Sequence, residues 1–79
     1  MTNVEELIAL IAVNLVDHPE AVRLRRLEKD GYEIFEVGVH PDDLGKLIGK
    51  GGQTARAIRS LLAAVSARSG RRLGFEIAE

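Results

Sequence analysis

The run Ile48-Gly49-Lys50-Gly51-Gly52, flanked on both sides by apolar residues at helical spacing, limits what this chain can fold into more than any other stretch. Leu44, Leu47 and Ile48 stand at i, i+3 and i+4, and Ala55, Ile58, Leu62 and Val65 resume that period beyond the glycines. The spacing predicts two amphipathic helices joined by a tight loop. Three glycines in four positions tolerate positive φ and put no Cβ in the way of a ligand. Beside them the first N–H groups of the second helix point outward at the positive end of its dipole. Such a turn suits a phosphate chain. Lys50 places a cation at the tip, with Lys46, Arg56 and Arg59 on either side.

A tight turn between two core helices would produce the same glycines, and the distribution of charge argues against that plainer reading. Residues 46–72 hold seven Lys or Arg and no acid, whereas residues 1–45 hold ten acids and four bases. The net charge of −1 therefore conceals a strongly basic segment beside an acidic one. Segregation of this kind is the electrostatic footprint of a polyanion site, since a merely solvated surface mixes its signs.

Two other glycine–phosphate motifs fail on the residues. A P-loop requires G-x-x-x-x-G-K-[ST] after a strand, but Gly45 to Gly49 is one residue short, Gly51 follows Lys50, and a helical pattern precedes. A dinucleotide fingerprint through Gly49, Gly51 and Thr54 also lacks its strand, and 79 residues cannot supply a doubly wound sheet. The run Val39, Pro41, Gly45, Leu47, Ile48, Gly49, Lys50, Gly51, Gly52, followed by an Ala/Ile-rich helix, instead resembles the signature of the KH domain. A helix and a strand ahead of that core are similar to the type II form. Pro41, Asp43, Gly45, Lys46, Ile48, Gly49 and Lys50 in a small cysteine-free chain resemble the bacterial KhpA (YlqC) family of RNA-binding proteins. The resemblance covers the whole chain as a single KH domain, residues 1–79. The family pattern has a basic residue after the glycine loop where this chain has Gln53, which leaves Arg56 as the nearest compensating cation.

The remaining stretches predict the elements around that core. Thr2 or Asn3, with Glu5 or Glu6 three residues on, marks a capping-box start, and Val4, Leu7, Ile8, Ile11, Ala12 and Leu15 trace one helical face ending at Asp17-His18-Pro19. Val22 and Leu24 alternate with arginines in a first strand, Asp30-Gly31 turns the chain, and Phe35, Val37 and Val39 alternate in a second. Leu27 is out of phase with Leu24, which predicts a bulge or the strand's end; Tyr32 and Ile34 fall on the face opposite Phe35. His18 and His40, each before a proline, are turn residues, and Pro41 opens the next helix. Ser69-Gly70 closes the last helix, and Arg71 to Ile77 forms a third strand with Leu73, Phe75 and Ile77 on one face. The order is αββααβ. With the KH resemblance it implies an α+β type II KH fold, a three-stranded mixed sheet with three helices on one face.

Several function classes are excluded at this stage. Cysteine is absent, so neither disulfides nor zinc–thiolate sites are expected. No apolar run approaches a membrane span of about 18 residues, and the start lacks a basic signal-peptide lead, so the expectation is a cytoplasmic chain without a membrane partner. The acids nearest the loop, Asp42 and Asp43, fit a helix first turn and diverge too far on a helix to form a ligand pair. No catalytic set, metal or cofactor is expected. One Tyr and two Phe leave no aromatic stacking platform. The resemblance implies that single-stranded RNA is held by Lys46, Ile48, Gly49, Lys50, Gly51, Gly52, Gln53, Arg56 and Arg59, with bases in a groove walled by Leu44, Leu47, Ile48, Ala55 and Ile58, in a post-transcriptional regulator or RNA chaperone. The alternative it implies is an interaction module, a homodimer or a partner of a Jag/KhpB-type KH protein, using the small residues Ala57, Ser60, Ala63, Ala64 and Ala67.

Overall fold

The computed structural model describes residues 3–78. Helix α1 (Val4–Leu15) leads into a hairpin of β1 (Arg23–Lys29) and β2 (Tyr32–Gly38), followed by α2 (Leu44–Ile48), α3 (Gln53–Ser69) and β3 (Leu73–Ile77). Short 3₁₀ turns at Pro19–Ala21, Pro41–Asp43 and Lys50–Gly52 join them. The sheet order is β1-β2-β3, antiparallel between β1 and β2 and parallel between β2 and β3, which is the type II KH arrangement. No described helix is long and apolar enough to cross a membrane.

Local sequence accounts for the ends of the elements. Asn3 Oδ1 accepts from Glu6 N–H at 2.8 Å, capping α1 with Glu5 and Glu6 in its first turn; Thr2 lies outside the described residues. Asp30 and Gly31 take φ of 53° and 83°, the double left-handed turn that matches hairpin twist. Gly70 ends α3 at φ 74°, its N–H returning to Ser66. Strand β3 starts at Leu73 rather than Arg71: Arg71 reaches back to the Glu33 carboxylate, and Leu73 N–H donates to Ser66 Oγ at 3.1 Å.

The expected bulge near Leu27 does not form. Pairing runs one-to-one from Arg23↔Gly38 to Lys29↔Tyr32, and Leu27 stands opposite Ile34. Residues three apart on a strand face opposite sides, so Leu24 turns to the helices while Leu27 and Ile34 share a small apolar strip on the open face. On the helix side Phe35 and Val37 of β2 and Leu73 and Phe75 of β3 meet Ile8 and Ala12 of α1, Leu47 of α2, and Ala55, Ile58 and Leu62 of α3. This single core fixes α3 against β3 and α2 against α3 and α1.

Candidate nucleic-acid interface

The loop between α2 and α3 is three left-handed glycines in one turn. Gly49 has φ 80°, ψ 164°, a region open essentially to glycine alone, and a Cβ there would lie 2.7 Å from Thr54 N. Gly49 N–H closes α2 onto Gly45 O at 2.9 Å, and Gly52 N–H returns to Gly49 O at 3.0 Å. The loop is thus pinned at its base, while Lys50 and Gly51 stay exposed at the tip. The 17-residue α3 begins at once behind it, aiming its N-terminus past the glycines.

Below the loop opens a groove of ≈ 530 Å³, lined by Ile48, Gly52, Ala55, Arg56, Arg59, Glu76 and Ile77. One wall is α3, the other the outer edge of β3. The Arg59 guanidinium lies 5.6 Å from the centre of the Phe75 ring, which holds it over the groove. Arg72 C=O and Ala78 N–H bond across to β2. By the alternation of a parallel ladder, Phe75 and Ile77 therefore turn their N–H and C=O groups outward to the groove side.

Comparison with known proteins matches this construction. The KhpA/KhpB, KH domain model fits residues 5–77. This chain belongs to the KhpA/KhpB family of KH domains. It is 44% identical over 75 residues to the RNA-binding protein KhpA of Chlamydia pneumoniae, covering 95% of this chain and 96% of the relative. Identity is 43% over 75 residues with the Bacillus subtilis protein of that name, covering 95% and 93%, and 38% over 79 residues with that of Aquifex aeolicus, covering 100% of both. Among solved structures the fold resembles part of Era. The Aquifex aeolicus Era bound to GDP·AlF4⁻ aligns with TM-score 0.63 at 20% identity, covering 94% of this chain and 29% of Era. Era in complex with MgGDPNP and nucleotides 1506-1542 of 16S ribosomal RNA aligns with TM-score 0.61 at 20% identity, covering 94% and 28%.

Within this KhpA/KhpB-family fold the sequence-predicted residues separate. Ile48, Gly52, Arg56 and Arg59 line the groove, and Gly49, Lys50 and Gly51 build the loop above it. Lys46 and Gln53 are placed elsewhere. Lys46 Nζ pairs with Asp17 and lies 3.6 Å from Asp43, and the hydrogen bond to Asp17 and both carboxylate charges hold its pKa above the usual lysine value. Gln53 turns with Thr54 to a second, apolar cleft between α1 and α3. Of the expected groove walls, Leu47 and Ile58 are buried in the core and Leu44 does not line the groove. Ile77 and Glu76 take their place, residues that local pattern alone marks only as strand.

Asp43 lies in the first turn of the Pro41–Asp43 helix, as its sequence position suggests, and it also has a tertiary role. Fully buried, it accepts from Asp17 N–H at 3.2 Å and His18 N–H at 2.9 Å, tying the end of α1 to the start of α2. Burial pushes its carboxyl up, but those N–H groups and the charges of His18 and Lys46 outweigh it and hold the pKa below the ordinary aspartate value. The signal for it was its place in the family run from Pro41 to Lys50. His18 and His40 stack with ring centres 4.1 Å apart, and with Asp42 they bring ligand-type atoms within 4.8 Å of one another. His40 Nδ1 already accepts from Asp42 N–H at 3.0 Å, so a cation on that nitrogen has to displace a cap of the turn.

Proposed function

We propose that this protein binds single-stranded RNA, gripping the sugar-phosphate chain at the Gly49–Gly52 loop and laying the bases in the groove beneath. One observation carries the reading: a pinned glycine loop with an exposed lysine stands directly over a groove that has cations on one wall and a free strand edge on the other. Phosphates lie against Lys50, Arg56 and the N-terminus of α3, where charge and N–H donors coincide. Bases lie over Ile48, Ala55 and Ile77, with the outward backbone groups of Phe75 and Ile77 as hydrogen-bonding partners. Backbone contacts carry little sequence information, so the grip suits a post-transcriptional regulator or RNA chaperone in the cytoplasm. The curated relatives named RNA-binding protein KhpA support the ligand class.

The double substitution K50D/G51D tests the loop. A Cβ at Gly51 meets nothing within 4 Å, and Asp tolerates left-handed backbone, so the fold survives while two negative charges face the phosphates. Binding of a labelled single-stranded RNA, followed by fluorescence anisotropy, should be lost. A folded double variant with unchanged affinity overturns the proposal.

A second reading, pairing with another copy or with a Jag/KhpB-type KH protein, rests on the apolar cleft lined by Ile11, Leu15, Ala57 and Leu61. It uses the face of α3 turned away from Arg56 and Arg59, so the two activities are compatible. Light scattering of the protein with and without Leu61→Asp tests it.

A further inference from the structure

A carboxylate in a groove built for a polyanion needs a reason. Glu76 lines the RNA groove and also a smaller adjoining cavity of ≈ 300 Å³ along the β3 edge, lined by Ile34, Leu62, Leu73, Gly74 and Phe75. Arg59 is the one other residue common to both cavities. An acid and a base thus flank the junction between them. Arg59 is held by the Phe75 ring, which leaves the edges of its guanidinium fork open. Glu76 of β3 stands opposite Glu36 of β2 on the open face of the sheet and meets Arg59 around the edge of β3, and the Glu36 carboxylate is already engaged by Arg25 at 3.4 Å. No ion pair or hydrogen bond of the Glu76 side chain occurs among the described residues.

An ionised carboxylate only accepts, and it repels phosphate, so whatever lies against Glu76 has to offer N–H donors. In a single strand those are base edges. The Watson–Crick edge of guanine presents N1–H and N2–H side by side, matching two carboxylate oxygens, and its O6 and N7 accept from an arginine fork. Adenine and cytosine each set one amino donor beside a ring-nitrogen acceptor, which would oppose the second oxygen. Uracil sets one N–H between two carbonyls. We infer that Glu76 and Arg59 form a base-reading station that favours guanine at one position of the bound strand. The inference rests on the loop-and-groove reading above and adds a base preference to it. The smaller cavity beyond the station, floored by Gly74, gives the following base a place along the strand edge; a Cβ at Gly74 would lie 2.7 Å from the end of the Ile34 side chain.

Anisotropy titrations of the full chain at one low salt concentration, using uridine decamers with a single central guanosine, inosine or adenosine and an all-uridine control, test the assignment. The guanosine decamer should bind about five- to tenfold more tightly than all-uridine, the low end for a bidentate pair because the groove is open to water. Inosine, which lacks the N2 amino group, should lose most of that gain. Glu76→Gln should erase the difference between guanosine and inosine. With one negative charge fewer in the groove it should also bind the all-uridine decamer more tightly, which a purely structural residue would not do. Equal affinity of the unmodified protein for guanosine and all-uridine decamers, or a guanosine-over-inosine preference that survives in E76Q, overturns the base-reading station and leaves the backbone grip standing. Failure to bind any decamer removes both.

Discussion

Gly49→Ala is the perturbation whose consequence the geometry specifies best. At φ 80°, ψ 164° a residue with a Cβ pays about 1–3 kcal/mol in backbone strain. The new methyl group would also collide with the Thr54 hydroxyl and stand 2.7 Å from Thr54 N and 2.8 Å from its Cβ. Those atoms belong to the first turn of α3, which must shift, and overpacking of that kind costs about another 1–3 kcal/mol. The sum, about 2–6 kcal/mol, compares with a total stability of about 4–12 kcal/mol for a domain of 79 residues. Gly51→Ala is the control in the same loop: its φ is 64°, its ψ is 21°, and nothing lies within 4 Å of the added methyl group, so only the left-handed conformation is charged, about 1–2 kcal/mol. At about 4–8 °C per kcal/mol, thermal unfolding followed by circular dichroism should show a loss of about 8–48 °C for Gly49→Ala against about 4–16 °C for Gly51→Ala, with the first the larger. Equal shifts for the two variants would refute the close approach of Gly49 to α3, and with it the rigid base of the loop.

Other expectations follow from the same structure. Phe75→Ala removes a buried ring from the core beneath Arg59 and should cost about 3–5 kcal/mol, leaving a largely unfolded chain by circular dichroism. With Lys46 engaged by Asp17, two or three cations remain for phosphates. The slope of log K against log salt on single-stranded RNA should then be about −1.5 to −2, and Arg56→Ala should make it shallower by less than one unit. Arg23→Ala, on the open face of the sheet, should leave that slope unchanged in the same titrations. Asp43 is held below its unfolded pKa, so its stabilisation is present above about pH 4 and disappears as pH falls through the folded value. Asp43→Asn should lower the melting temperature at pH 7 and flatten its decline between pH 5 and pH 3, which a melting series over that range checks.

Local sequence was enough for the elements and for the loop. Helical spacing on both sides of Gly49-Lys50-Gly51-Gly52, Asp30-Gly31 between alternating strands, and Asn3 ahead of Glu6 each act through neighbours within four residues, and each appears in the structure where the pattern puts it. The site itself needed the tertiary fold. Whether Lys46 is available depends on Asp17, 29 residues earlier, and whether Gln53 or Arg56 faces the groove depends on which side of α3 the sheet covers. Asp43 is the helix-start residue that local pattern makes it, but its burial and its bonds to the Asp17 and His18 N–H groups come only from the chain beyond α1. Glu76 and Ile77 become groove residues only because β3 pairs with β2 on one side and leaves its other edge free beside α3. Spacing along the chain records which residues share a face of one element. Which face meets a partner is set when the elements bury their apolar sides together, and that choice depends on all of them at once.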